Sequence, residues 1–198
     1  MLIPLVVGII WFAPPLATKV LLAVVWILAI PEVQRLARGN LLLNLGLALW
    51  VTVPIALLAV IRSQHAPAVM MLLFVLIVVS DSSQYFSGRA FGKHKLAPVI
   101  SPKKTIEGSI GGLVVSMAVA PWLATYWLPG VAPLKMTIAG AAIAVAGMAG
   151  DLFESALKRK AGIKDSGTLI PGHGGILDRI DAFLFAAPVY YVFLRFVA

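Results

Sequence analysis

Seven of the eight carboxylates in this chain lie in or beside three polar stretches that interrupt a long apolar sequence. They are Asp81, Glu107, Asp151, Glu154, Asp165, Asp178 and Asp181, whereas Glu32 is the only acid among the first 80 residues. An ionised carboxylate in apolar surroundings is costly unless it is paired or binds a cation. This distribution therefore indicates a polar functional site built from residues that are far apart in sequence.

The segment that begins at Asp151 has the spacing of a helix. Asp151, Glu154, Ser155 and Lys158 stand at positions i, i+3, i+4 and i+7, which share one helix face. Residues 146–150, just before, are small and suit close packing between helices. Glu154 and Lys158 are equally compatible with a solvated ion pair at a helix end. For Asp151, which lies deeper in the apolar sequence, we favour a ligand role.

A glycine-rich loop and a new helix follow this segment. Residues 162–175 include Pro171 and His173 among several glycines, a composition that excludes a stable helix and lets backbone N–H groups approach an anion. Asp178 and Asp181 stand at i and i+3 of the next helix, whose N-terminal dipole also favours anions. Simple capping of that helix would explain one of these acids but not both.

The middle polar stretch combines basic residues with glycine, serine and threonine. It covers residues 80–95 and then reads Ser101-Pro-Lys103-Lys104-Thr105-Ile-Glu107-Gly108, and we interpret it as a loop. A basic anchor for anionic lipid headgroups would explain its charge alone. A phosphate-binding surface explains both the charge and the small residues, and we favour it because Lys and Arg suit lipid phosphates and nucleotide triphosphates.

The composition indicates that membrane helices position these residues. Hydrophobic residues make up 61% of the 198 residues and charged residues 12%, with a mean hydropathy of +0.98. These values exclude an ordinary soluble domain, and the absence of cysteine excludes disulfides, a cysteine zinc site and a thiol nucleophile. Oxygen ligands without cysteine favour a hard cation, Mg²⁺, over zinc.

Six or seven transmembrane helices are predicted. A crossing needs about 20 apolar residues, and clear spans cover residues 41–61, 66–80 with an extension past Asp81, 110–128, 134–157 and 176–197. Residues 2–13 and 16–30, separated by Pro14-Pro15, predict either a tight helical hairpin or one kinked span. We therefore expect an all-α, polytopic integral membrane protein.

Lysine and arginine alternate between the loops on the two sides of the predicted membrane. Eleven lie in residues 31–40, 88–107 and 158–175, against two in residues 62–66 and 129–135. The positive-inside rule then places the three basic loops, and the carboxylates beside them, in the cytoplasm. The net charge of +8 is thus expected to decorate one face of a cell inner membrane rather than to bind nucleic acid.

Residues 155–181 resemble the signature of the phosphatidate cytidylyltransferase family, the CDP-diacylglycerol synthases. In this chain the string is S-A-L-K-R-K-A-G-I-K-D-S-G-T-L-I-P-G-H-G-G-I-L-D-R-I-D. The stretches from Asp81 to Lys93 and from Ser101 to Gly108 resemble upstream motifs of that family. We expect a single transmembrane domain, with N-terminal helices over residues 1–65 and a catalytic region over residues 66–198.

The resemblance implies transfer of a cytidylyl group from CTP to phosphatidate in phospholipid biosynthesis, with release of pyrophosphate. It implies that Asp151, Asp178 and Asp181 are catalytic and hold Mg²⁺, alone or with a second cation. His173 would orient the nucleotide or the metal shell. The implied substrate-binding residues are Lys103, Lys104, Lys158, Arg159, Lys164, Asp81 and Ser155. CTP, phosphatidate and membrane lipids are the expected partners, and a homodimer is left open.

Three alternatives remain open on the sequence alone. A CTP-dependent enzyme that acts on another lipid, such as a CDP-archaeol-type synthase or a polyprenol kinase, would use related chemistry. A transporter would have acids at mid-membrane that face each other across structural repeats. In this sequence the acids are expected to cluster at one membrane interface, beside the glycine-rich loops. A catalytically inactive scaffold is disfavoured because Asp151, Asp178 and Asp181 are all present.

Overall fold

The chain forms a helical bundle in the computed structural model, which describes residues 2–167 and 174–197. Within those ranges the elements are α1 (Leu2–Phe12), α2 (Pro15–Ala37), α3 (Leu41–Gln64), α4 (Pro67–Phe91), β1 (Lys95–Ala97), β2 (Ser101–Thr105), α5 (Ile106–Trp127), α6 (Pro133–Lys160) and α7 (Leu177–Val197). The helices α2 to α7 are each long and apolar enough to span a bilayer. The predicted class, an all-helical integral membrane protein, is confirmed.

The two N-terminal apolar runs form separate helices rather than one kinked span. Pro14 has extended backbone angles and Pro15 opens α2, where the missing N–H of proline is tolerated. With 11 residues, α1 is about 16 Å long and too short to cross the bilayer. The buried Arg62 guanidinium, near the end of α3, donates to the Ala13 carbonyl at 3.0 Å and holds the turn in place.

Residues 80–91 form the last turns of α4, so our interpretation of them as a loop is wrong. Their small and polar side chains form a contact between helices instead. A Cβ added to Gly112 of α5 would overlap the Gln84 side chain and lie 3.0 Å from the Ser80 carbonyl oxygen. The polar composition therefore reflects close packing of α4 on α5 rather than an irregular backbone.

A short antiparallel hairpin, which the sequence analysis did not predict, connects α4 to α5. Lys95 pairs with Thr105 and Ala97 with Ser101, with an irregular register between the two pairs. Strands of three and five residues are too short to show a clear alternation of apolar and polar residues. Thr105 ends β2 and caps α5, because its Oγ1 accepts a hydrogen bond from the Gly108 N–H at 3.1 Å.

The helix order brings the polar ends of the helices together. Helix α4 packs on α5, α5 on α6, α6 on α7, and α2 on α3. The C-termini of α2, α4 and α6 and the N-termini of α3, α5 and α7 form what we call the basic end of the bundle. At this end Arg38 donates to the Lys160 carbonyl at 3.4 Å, which joins α2 to α6, and Arg159 of α6 donates to the Ile100 carbonyl of the hairpin at 3.3 Å.

Gly150 allows α6 and α7 to approach closely at the basic end. A Cβ added there would overlap the Asp181 carbonyl oxygen and lie 3.2 Å from the Phe185 ring. The close helix packing predicted for residues 146–150 is therefore confirmed at Gly150, the residue directly before Asp151.

Candidate active site

Lys158 of α6 connects two carboxylates at the basic end. Its Nζ lies 2.8 Å from Glu154 Oε2, one helical turn earlier, and also pairs with Asp178 Oδ1 on α7. The exposed side-chain fraction is 0% for Glu154 and 11% for Lys158 and Asp178. The ion pair considered for Glu154 and Lys158 therefore exists, but it is buried rather than solvated. Glu154 Oε1 has no hydrogen-bond partner among the described residues.

Asp178 holds the start of α7 against the polar segment that follows α6. Its Oδ2 accepts hydrogen bonds from the Ser166 N–H at 3.0 Å, the Ser166 hydroxyl at 2.9 Å and the Gly175 N–H at 2.8 Å. Gly174 has φ +81°, and a Cβ there would lie 2.7 Å from the same oxygen. Because Lys158 takes the other oxygen, both oxygens of Asp178 are engaged.

Asp81, Asp151 and Asp181 come together from α4, α6 and α7, and we call them the carboxylate cluster. Each interacts electrostatically with the other two. The Lys104 Nζ lies 2.6 Å from Asp151 Oδ2, and the Ser155 hydroxyl donates to Asp151 Oδ1 at 3.3 Å. The sequence-based expectation that these acids meet at one end of the bundle is therefore confirmed.

The hairpin carries Lys104 to the carboxylate cluster, and Glu107 holds the hairpin in shape. Glu107 Oε1 lies 2.6 Å from His94 Nδ1, and the carboxylate also accepts a hydrogen bond from the His94 N–H at 3.2 Å. The contact of Arg159 with the Ile100 carbonyl ties the hairpin to the end of α6. Neither His94 nor Glu107 had been assigned a role from the sequence.

Three more of the predicted site residues lie on the outside of the basic end. Lys103, Arg159 and Lys164 are exposed, so their side chains are accessible to a soluble phosphate compound. His173 lies outside the described residues. The substrate-binding roles of the three cations and the role of His173 stay predictions.

Glu32 of α2 also belongs to the site, although the sequence analysis gave it no role. It is 4% exposed and accepts hydrogen bonds from the N–H groups of Ile176 and Leu177, both at 2.9 Å, and from the Ser166 hydroxyl at 2.8 Å. Its isolation in an apolar sequence was a usable signal. Spacing could not identify its partners, because they lie 134 to 145 residues further along the chain.

A cavity of about 410 Å³ adjoins the carboxylate cluster. Asp81, Ser82, Asp178, Arg179 and Asp181 line its polar part. The rest of its wall is mainly apolar and comes from five helices, with Val6, Leu22, Ile55, Leu73 and Phe183 among the side chains. Thr18, near the start of α2, also lines it, and the Thr18 Oγ1 has no hydrogen-bond partner in the described part of the chain. The cavity therefore joins acidic groups at the basic end to an apolar interior.

The carboxylate cluster fits a hard divalent cation by the chemistry of its donors. Mg²⁺ is usually held by one or two carboxylates, with waters and substrate phosphates as its other ligands. Within the described residues, no group of three or more His, Cys, Asp or Glu side chains is arranged to hold a metal ion, so substrate phosphates and waters would have to supply most of the ligands. To take this role, Asp151 would have to give up the Lys104 ammonium group, and Asp178 would have to give up the Lys158 ammonium group or a backbone donor.

These features define a class of protein: an integral membrane protein with an acidic and basic site at one end of its bundle, next to an apolar cavity. The sequence profile of the cytidylyltransferase family matches residues 1–197. The chain belongs to this family, and the membership indicates a nucleotidyltransferase. The resemblance recognised in residues 155–181 is confirmed.

Three curated relatives show the extent of the similarity. Identity to the phosphatidate cytidylyltransferase of Haemophilus influenzae is 38% over 191 residues, covering 89% of this chain and 65% of that protein. Identity to the phosphatidate cytidylyltransferase of Bacillus subtilis is 47% over 123 residues, covering 61% and 45%. Identity to the uncharacterized protein YnbB of Escherichia coli is 41% over 133 residues, covering 67% and 44%. The matches thus span between 44% and 65% of the length of these relatives.

Proposed function

We propose that the protein transfers a cytidylyl group from CTP to phosphatidate. A phosphate oxygen of the lipid attacks the α-phosphorus of CTP, a new P–O bond forms, and the bond to the β-phosphate breaks. The products are CDP-diacylglycerol and pyrophosphate. Family membership supports the cytidylyl transfer, and the two relatives named phosphatidate cytidylyltransferase support the choice of lipid.

The observation that carries the proposal is the cavity between the carboxylate cluster and the apolar interior. A mainly apolar cavity with acids at one end matches a substrate that has acyl chains at one end and a phosphate at the other. The acids repel that phosphate, so positive charge is needed beside them, and Arg179 also lines the cavity. Lys104 and Lys158 lie close enough to the cluster to supply part of this charge.

The reaction needs positioning and charge neutralisation more than it needs a strong base. The lipid phosphate is already anionic at neutral pH, and the barrier is to bring two polyanions together and stabilise the leaving pyrophosphate. Lys103, Lys104 and Arg159 would contact the triphosphate, which their location on and beside the hairpin supports. Lys158 would orient Asp178, because it is buried against that carboxylate.

Mg²⁺ would be held by Asp151 and Asp181 and would neutralise charge on the transferred phosphate and on pyrophosphate. Lys104 pairs with Asp151 in the structure, and in the substrate complex its ammonium group would turn towards the triphosphate. Ser155 would keep Asp151 oriented through the hydrogen bond between their side chains.

We propose further that the basic end faces the cytoplasm, where it meets the soluble nucleotide. The support for this orientation is the unequal division of lysine and arginine, eleven against two, between the two sets of loops. In a bacterial cell the membrane would be the inner membrane.

The test uses the purified protein in vesicles that contain phosphatidate, with Mg²⁺ and CTP labelled on the cytosine. The wild type is expected to form a labelled CDP-lipid and release pyrophosphate. The variant Asp181→Asn is expected to lose activity by a factor on the order of 100, because it removes one charge that holds the cation. Gln64→Ala, an exposed position at the opposite end of the bundle, is the matched control and is expected to keep full activity.

Two outcomes would contradict parts of this proposal. Absence of product from the wild type, with phosphatidate and with a panel of other lipid phosphates, would contradict cytidylyl transfer to a lipid. Product from another lipid phosphate but not from phosphatidate would contradict only the choice of lipid. Normal activity of Asp181→Asn would contradict the metal site at the carboxylate cluster.

A further inference from the structure

Glu32 bonds to residues on both sides of the stretch 168–173. The Ser166 hydroxyl precedes that stretch, and the N–H groups of Ile176 and Leu177 follow it. Two of these donors belong to the start of α7, where a negative charge is stabilised by the helix dipole. A single side chain from α2 therefore holds the segment after α6 and the start of α7 together.

The backbone closes tightly around the Glu32 carboxylate. A Cβ added to Gly167 or to Gly175 would overlap the carboxylate oxygens. The carboxylate is thus enclosed by main chain from two segments, with hydrogen-bond donors within 2.9 Å of each oxygen. A buried charge held in this way tolerates little displacement, because any movement leaves it without its donors.

Ser166 joins Glu32 to Asp178. Its Oγ lies 2.8 Å from Glu32 Oε2 and 2.9 Å from Asp178 Oδ2. A hydroxyl group has one hydrogen to donate, so the two carboxylates share one donor and their positions depend on each other. Asp178 in turn pairs with Lys158, which extends the connection to α6.

The position of the first turn of α7 determines where two predicted site residues lie. Asp178 is adjacent in sequence to Leu177, whose N–H bonds to Glu32, and Asp181 follows one turn later. A shift of this turn would move Asp181 relative to Asp151, because Asp181 is on α7 and Asp151 is on α6. Displacements of about 1 Å in such arrangements can cost on the order of 100-fold in rate.

We propose that Glu32 is a positioning residue for the reaction: from α2 it holds the start of α7 where Asp178 meets Lys158 and Asp181 meets Asp151. Glu32 acts through these residues and does not touch the reacting phosphates. The inference rests on the proposed function, since positioning has a kinetic meaning only for an enzyme.

The test measures kcat and KM of Glu32→Gln, which keeps the side-chain volume but places an NH2 group against one of three hydrogen-bond donors. We expect kcat per folded molecule to fall by about 10- to 100-fold, while KM for CTP and for phosphatidate stays within about twofold of the wild type. Ser166→Ala is expected to give the same division between kcat and KM. The loss of kcat in the double variant is expected to be smaller than the product of the two single losses, because both changes act on the hydrogen-bond network that Glu32, Ser166 and Asp178 share.

Gln34→Ala is the matched control, since Gln34 is exposed on the same helix two residues away, and it is expected to keep the wild-type kcat. The thermal unfolding temperature of each variant, measured in the same detergent, identifies the folded preparations. Hydrogen exchange of the Ile176 and Leu177 amides supplies a readout that is independent of activity. Glu32→Gln is expected to accelerate this exchange.

A folded Glu32→Gln protein with the wild-type kcat would overturn the inference, as would kcat losses that multiply in the double variant. If Glu32→Gln does not fold, the kcat of Ser166→Ala decides by the same criterion. If the wild type makes no CDP-lipid, the proposed function fails. In that case unchanged exchange of the two amides would overturn the role of Glu32 as well.

Discussion

At the scale of single residues, the stability of the site depends on Lys158. It is the cation between the buried carboxylates of Glu154 and Asp178. Such an arrangement contributes little net stability compared with apolar residues of the same size, but it is costly to break because a buried charge is then left unpaired. The sequence predicted a phosphate contact for Lys158, and the structure shows that it also pairs with two carboxylates of the protein itself.

The variant Lys158→Met is expected to lower the free energy of unfolding by about 3 kcal/mol, because it leaves both carboxylates without their cation. Thermal unfolding in detergent would measure this, with Lys160→Met, an exposed position on the same helix, as the control. Adding Glu154→Gln to Lys158→Met is expected to restore part of the loss. Equal unfolding temperatures for the two lysine variants would contradict the prediction.

At the scale of elements, the contact between α6 and α7 sets the geometry of the carboxylate cluster. Gly150 lies against the α7 backbone at Asp181, and Asp151 is the next residue of α6. Because α6 has no side chain at position 150, α6 and α7 pack closely there, and this brings Asp151 of α6 near Asp181 of α7. Gly150 thus affects the carboxylate cluster only through the distance between the two helices.

The variant Gly150→Ala is expected to lower both stability and product formation. The added methyl group would overlap the α7 backbone, and overpacking of this kind costs about 1–3 kcal/mol. Gly46→Ala on α3 is the control, because a Cβ there meets no atom within 4 Å, and it is expected to be neutral or slightly stabilising. A Gly150→Ala protein as stable and active as Gly46→Ala would show that α6 and α7 have room to separate.

The spans were predictable because each is a long apolar run, and α3 to α7 lie where the sequence placed them. The end of α4 was not predictable, because Gln84 and Ser87 pack against glycines of α5 and such a contact leaves no periodic apolar pattern. That Asp151 and Asp181 lie at the same end of the bundle was predictable, since alternating basic loops place their helix ends on one side. The role of Glu32 was not, because no local pattern encodes a contact with a helix more than a hundred residues away.

At the scale of the whole molecule, the outer surface of the bundle is apolar. Leu42, Ile138 and Phe196 are 81%, 60% and 80% exposed, and many other large apolar side chains are similarly uncovered. Surfaces of this kind require a nonpolar surrounding, which a bilayer provides along the length of the helices. The charged side chains concentrate at the basic end, so the molecule has two chemically different ends.

The orientation of the two ends can be measured by introducing single cysteines, because these 198 residues include none. Val99→Cys, in the exposed hairpin turn at the basic end, is expected to resist a membrane-impermeant maleimide in intact spheroplasts and to react after lysis. Ser63→Cys, exposed at the opposite end, is expected to react in intact spheroplasts. The reverse pattern would contradict a cytoplasmic basic end.

The distance along the chain between Glu32 and its partners has a consequence for biosynthesis. Leu177 lies 145 residues after Glu32, so at about 5–20 residues per second the ribosome makes it roughly 7–30 s later. During that interval the Glu32 carboxylate lacks the N–H donors of Ile176 and Leu177. The hydrogen bonds between Glu32 and the start of α7 therefore form only after α7 has been made, and the proposed positioning of Asp178 and Asp181 is completed only then.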